Sequence, residues 1–265
     1  MKTRLICILL ICAFTTCIPL SSCDQETSAD IGSEQNTDES NADVPTQTQF
    51  IDTPQWAAET LTFVSEKGLM VGVDSNRFDS QSIITKKEVA ATLYRMAGSP
   101  EEIPTKCSAG FTPYYTDLQD TSIWYRNAAL WCLNNEIIPV DSLSLPGFRD
   151  TYRFDADDIM TRSDIVYYLY RFGLEYLQCI DAVGEFVDGA YTRGDVGTWE
   201  EFLEHNFIDV DTRFKRSGNP TPWKWAVKQG IIFGYDDNSL RPNNCVTRAE
   251  FAAIITRFVK HYDHE

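Results

Sequence analysis

The chain has 265 residues, a formal charge of −16, 43% apolar residues and 12% aromatic residues, which is enough material for one or two packed cores. With no concentrated basic stretch, the acidic balance excludes a nucleic-acid partner. Its three histidines are His205, His261 and His264, two of them beside the C-terminus, which argues against a His-rich metal site or a Ser-His-Asp constellation.

Lys2 and Arg4 precede an apolar run, Leu5 to Pro19, of about 15 residues, too short to span a bilayer comfortably and typical of an export signal. Leu20-Ser21-Ser22-Cys23 follows and resembles a bacterial lipobox. Small residues at 21 and 22 suit the peptidase groove, and the Cys23 thiol is the lipid acceptor. Residues 1–22 are therefore expected to form a lipoprotein signal peptide. The protein is expected to be exported and held by lipid on Cys23 at the cell membrane, facing the wall. A plain secretory signal is the alternative, because Cys7, Cys12 and Cys17 already make this stretch cysteine-rich. Cys107, Cys132, Cys179 and Cys245 remain; their spacing matches no zinc pattern, and free thiols are favoured because no two occupy equivalent repeat positions. Residues 23–49 carry seven acids and no Lys or Arg, and read as a disordered, self-repelling tether. Its r.m.s. reach is roughly 28 Å.

Self-comparison of the rest finds three copies of one unit, anchored on Thr85, Thr161 and Thr247. Seven residues before each anchor stands Phe78, Phe154 or Leu240, and one before stands Ile84, Met160 or Val246. Three after stands Glu88, Asp164 or Glu250; four after, Val89, Ile165 or Phe251; eight after, Leu93, Leu169 or Ile255; ten after, Arg95, Arg171 or Arg257. A threonine followed three residues later by an acid is a capping box, and the apolar offsets form a core-facing helical stripe. The arginine at offset ten suits the dipole at a helix C-terminus. An upstream helix is expected in each copy, from Trp56 to Lys67, Trp124 to Asn135 and roughly Trp223 to Gln229. Gly68 and Gly230 close the first and third of these as left-handed caps, whereas Glu136 breaks the pattern. The loop that follows is eight residues longer in the second copy and contains Pro146-Gly147. Each copy opens on aromatic-x-Asp, with Asp52, Asp117 and Asp209 expected as helix caps. The predicted organisation is a repeat over 50–97, a linker over 98–113, a repeat over 114–177, an insert over 178–206 with a short helix around Thr198 to His205, and a repeat over 207–262.

The third copy resembles an S-layer homology (SLH) repeat through Phe207-Ile208-Asp209, Trp225-Ala226, Gly230-Ile231-Ile232, Gly234-Tyr235-Asp236, Arg241-Pro242-Asn243 and Val246-Thr247-Arg248-Ala249-Glu250. With the other two copies, the resemblance covers about residues 50–262 less the inserts. It implies a mostly α fold, with three SLH repeats forming a pseudo-threefold spindle around a central helical bundle. It further implies grooves that bind secondary cell-wall polysaccharide, often through a pyruvylated sugar.

The residues after the anchoring threonines, Lys86, Arg162 and Arg248, are the expected ligand contacts. At the first position of a helix, free backbone N–H groups and the dipole favour an anion, and a guanidinium adds a carboxylate fork. A cation there opposes the dipole, so helix stability alone would not select it. Arg162 is followed by Ser163-Asp164 rather than Ala-Glu, and Lys86 lacks the fork and precedes Lys87. By position, the resemblance adds Trp56, Trp124, Trp225 and Gly234. Core packing competes with ligand contact for the tryptophans.

Glu88, Asp164 and Glu250 are better explained by capping than as a catalytic carboxylate pair. Asp155-Ala156-Asp157-Asp158 and Tyr235-Asp236-Asp237-Asn238 lack the glycine and distal glutamate of a calcium loop. No catalytic residue, metal or cofactor is expected, and the chain reads as a non-enzymatic envelope-binding protein. The rival expectation is a protein-interaction adaptor with degenerate glycan grooves and a partner surface on its inserts.

Overall fold

The computed structural model describes residues 50–106, 114–139, 141–142, 151–177, 207–209 and 221–262. The signal peptide, Cys23, the tether, the insert with its expected helix, Pro146-Gly147, Cys107 and Cys179 lie outside the described residues. The described part is mostly helical. A 3-10 turn, Gln55–Ala57, leads into α1 (Ala58–Glu66), followed by α2 (Lys86–Met96) and α3 (Arg126–Asn134). Next come α4 (Arg162–Arg171), continued by a π-helical turn over Phe172–Leu177, then α5 (Thr221–Lys228) and α6 (Arg248–Tyr262).

Helices α2, α4 and α6 each begin immediately after an anchoring threonine. The Thr85, Thr161 and Thr247 amides each donate to the acid three residues on, at 2.8 Å, and capping boxes close at Thr85 and Thr161. At Thr247 the hydroxyl accepts from the Glu250 amide at 3.2 Å, completing the same exchange. The predicted stripe is the core: Val89, Leu93, Ile165, Leu169, Phe251 and Ile255 are all buried, as are Phe78, Phe154 and Leu240 before the anchors.

The residues just before the threonines bind one another. The Ile84 amide donates to the Val246 carbonyl (2.9 Å), the Val246 amide to Met160 (3.0 Å), and the Met160 amide back to Ile84 (3.1 Å). Short bridges extend this ring, pairing Ile83 with Thr247, Thr85 with Ile159, and Thr161 with Cys245. The helices follow the same cyclic order: α2 packs on α3, α4 on α5, and α6 on α1.

Two features depart from the sequence expectation. A small sheet forms in the second copy, where β1 (Tyr114–Tyr115) runs parallel to β3 (Thr151–Arg153), which pairs antiparallel with β2 (Asp141–Ser142). Residues 141–142 and 151–153 flank the extended loop of that copy. Glu136, although not a glycine, ends α3 in the same left-handed conformation as the two glycines. It adopts φ +58°, close to the +65° of Gly68 and Gly230. Its carbonyl accepts from Arg171 Nε at 2.8 Å, and its carboxylate meets Arg171 Nη2 at 3.3 Å. A side chain in the left-handed region is strained, whereas the partly exposed ion pair stabilises little. Glu136→Gly should therefore raise stability by about 0.5–1 kcal/mol, read from urea denaturation.

Candidate functional site

The opening aspartates do not act as helix caps, contrary to expectation: the N-cap positions of the 3-10 turn before α1 and of α3 are held by Pro54 and Tyr125, neither with a side-chain cap bond. Instead each carboxylate gathers the amides of the loop before its anchor helix. Asp52 accepts from Phe78 (2.8 Å) and Ser80 (2.9 Å), Asp117 from Phe154 (3.0 Å) and Asp155 (2.8 Å), and Asp209 from Leu240 (2.7 Å) and Arg241 (2.6 Å). Burial would raise the Asp52 pKa, but the backbone amides together hold it below the ordinary 3.8.

The expected backbone anion hole at the helix N-termini is closed. The Lys86, Arg162 and Arg248 amides donate to the carbonyls of Asp158, Asn244 and Ser82, and the next amides to Ala156, Pro242 and Ser80. The three cations are buried, at 9%, 7% and 6% exposure. Each reaches across to the next segment of the ring. Lys86 Nζ donates to the Phe154 carbonyl (3.0 Å) and Asp158 (2.6 Å). Arg162 donates to the carbonyls of Leu240 (2.7 Å) and Phe233 (2.8 Å). Arg248 donates to the carbonyls of Phe78 (2.9 Å) and Val71 (2.8 Å) and pairs with Glu88. This role explains a cation at a helix N-terminus without a ligand, because the side chain satisfies carbonyls of a neighbouring segment.

Arg248 also lines a groove of about 300 Å³. The groove belongs chiefly to the first copy: the turn Met70-Val71-Gly72-Val73, then Lys87, Glu88, Ala91, Thr92 and Arg95 on one face of α2. Trp124 from the second copy and Arg248 from the third complete it. Its charged side chains are three cations and one carboxylate, in a protein whose overall charge is −16. Burial and the nearby Arg248 charge lower the Arg95 pKa, a sign that two guanidiniums repel each other there.

The expected tryptophan contacts divide. Trp124 and Trp56 are 63% and 60% exposed, and Trp124 forms the groove wall. Trp225 is buried, at 1% exposure, against Tyr170 and Phe258, with its indole N–H donating to Tyr262. It occupies the register of the buried Trp131, seven residues inside that of the exposed tryptophans, and cannot meet a ligand from solvent. Gly234 serves packing: a Cβ there would lie 2.5 Å from the Phe207 ring. At its counterpart Gly72, in the groove wall, a Cβ would lie 2.6 Å from Phe50.

The acidic clusters are tied to neighbours. Asp155 pairs with Arg153, Asp157 with Lys87 and Asp158 with Lys86, while Ser239 and Arg241 pull the Asp237 pKa down to about 2. Cys132, buried, and Cys245 are free thiols.

Sequence reasoning missed Lys87 and Arg95 as groove residues. Offsets two, three, six, seven and ten from Thr85 form a second helical stripe, beside the core stripe at four, five, eight and eleven. That spacing was the available signal.

Residues 224–252 match the family model of the S-layer homology domain. No curated protein matches the chain. The chain thus carries an S-layer homology domain in its C-terminal part.

The Asp52 carboxylate yields a pH test. Because folding lowers its pKa, its contribution to stability is complete above the ordinary 3.8 and is lost as pH falls below it. Asp52→Asn should lose about 1–3 kcal/mol at pH 7, since its amide nitrogen cannot accept from both loop amides. The gap from wild type should shrink towards pH 2, measured by denaturation at each pH.

Proposed function

We propose that this protein is a non-catalytic cell-envelope anchor whose groove binds an acidic, pyruvylated secondary cell-wall polysaccharide. An S-layer homology domain is an envelope-binding module, not a catalytic one. The observation that carries the finer reading is the groove lined by Lys87, Arg95 and Arg248, with Trp124 exposed at its side. Guanidinium and ammonium groups suit a sugar-borne carboxylate, and an exposed indole face suits the apolar face of a sugar ring. In this reading Arg248 serves the first copy's groove rather than its own. Arg162 and Lys86 stand in the corresponding places of the other two grooves, with Trp56 and Gly234 near the third copy's.

We read the three copies as a closed pseudo-threefold spindle, supported by the cyclic backbone bonds before the anchoring threonines. Among the described residues no helix is long and apolar enough to cross a membrane. Lipid on Cys23 and the acidic tether would then connect membrane to wall. A second reading, a protein-binding adaptor with degenerate grooves, draws on Lys86 and Lys87, which the protein's own Asp158 and Asp157 already engage.

Arg248→Ala would leave the Phe78 and Val71 carbonyls and Glu88 without this partner and is expected to destabilise the fold, so Trp124→Ala is the cleaner test. The full-length protein should bind intact cell walls and not walls stripped of pyruvyl groups. Trp124→Ala should weaken binding about tenfold with little change in stability. Equal binding to both walls would defeat the glycan reading and favour the adaptor. Metabolic labelling with a fatty acid should mark the wild type and not Cys23→Ser.

A further inference from the structure

The arginines ten residues after the anchoring threonines occupy three different charge environments. Arg171 is neutralised by Glu136 and Glu175, each at 3.3 Å. Arg95 meets no carboxylate among the described residues; Nη1 donates to the Leu69 carbonyl at 3.2 Å, and the residue lines the groove together with Arg248. The third copy repeats the carbonyl bond. Arg257 donates to the Ile231 carbonyl at 3.0 Å and lies 4.9 Å from the Phe233 ring, whose residue's carbonyl also holds Arg162. Half-buried guanidiniums placed beside a second arginine are costly unless a counter-anion joins them.

The Leu69 bond uses one of Arg95's five N–H donors. Arg248 is bound on three sides, to Phe78, Val71 and Glu88, so its position is fixed. One guanidinium is therefore rigid and committed, and its neighbour is half-free in the same groove.

We infer that Arg95 is an anion-binding residue of the first groove, gripping the acidic group of the ligand together with Arg248 as a two-guanidinium clamp. This rests on the proposed function for the identity of the ligand, but the clamp itself requires only an oxyanion. Arg248 sets the geometry and Arg95 supplies the uncompensated charge. Arg171, neutralised by two glutamates, contributes no such site.

The test uses the full chain with a methyl glycoside bearing one cyclic pyruvyl ketal, titrated calorimetrically, and with sulfate against chloride at equal ionic strength, read as thermal midpoint. Arg95→Gln should weaken ketal binding about tenfold and flatten its salt dependence, and Arg95→Lys should recover most of the affinity. Sulfate should raise the midpoint of wild type and Arg171→Gln more than that of Arg95→Gln. If wild type ignores the ketal but keeps the sulfate effect that Arg95→Gln loses, the glycan reading fails and the clamp stands. If wild type binds the ketal and Arg95→Gln binds it within twofold, the clamp is overturned and the glycan reading stands. A sulfate effect equal in wild type and Arg95→Gln also overturns the clamp. A stability loss in Arg95→Gln with both responses unchanged would assign Arg95 to the Leu69 turn alone.

Discussion

Three main-chain hydrogen bonds, passing from Ile84 to Val246, from Val246 to Met160 and from Met160 to Ile84, tie together segments far apart in the chain. All three residues are buried, so each unmade bond would leave an amide and a carbonyl without water. The ring sets where α2, α4 and α6 begin. The first two amides of each helix then find carbonyls on the neighbouring segment instead of a cap of solvent. The buried cations are a consequence of this closure. Each lies at the seam between two segments and donates to a carbonyl seven residues before the next anchor.

The seams share one geometry and differ in chemistry. A guanidinium reaches two carbonyls from one side chain, as Arg162 and Arg248 do. The Lys86 ammonium reaches one carbonyl and takes Asp158 as its second partner. Arginine and lysine are not interchangeable here, because the planar fork spans two acceptors that a point charge cannot. The seam at Arg248 joins a groove with exposed aromatic surface and three cations against one carboxylate.

Much of this was legible in the sequence. The offsets from Thr85, Thr161 and Thr247 identified the caps, the buried stripe and the positions of Lys86, Arg162 and Arg248, because helical spacing and capping are local rules. Local rules did not show that those cations face carbonyls on another segment, since that depends on a pairing across many tens of residues. Reasoning from the isolated helix gave Asp52, Asp117 and Asp209 a capping role, whereas their carboxylates reach loops some thirty residues away. Trp225 was misplaced by register: it shares the buried position of Trp131, while Trp56 and Trp124 precede their helices. The strands at 114–115, 141–142 and 151–153 are too short to leave a periodic signal.

The groove joins residues that are distant in the chain: Arg248 lies 160 positions from Glu88 and 177 from Val71. A chain lacking α6 cannot assemble it, because Arg248 is the first residue of that helix. Closure of such distant contacts is slow compared with helix formation. The lining of the groove is thus complete only when α6 has docked on α1. A chain truncated before α6 would retain most of the groove's wall residues yet lack the guanidinium that orders them. The architecture therefore ties completion of the groove to the docking of its third segment.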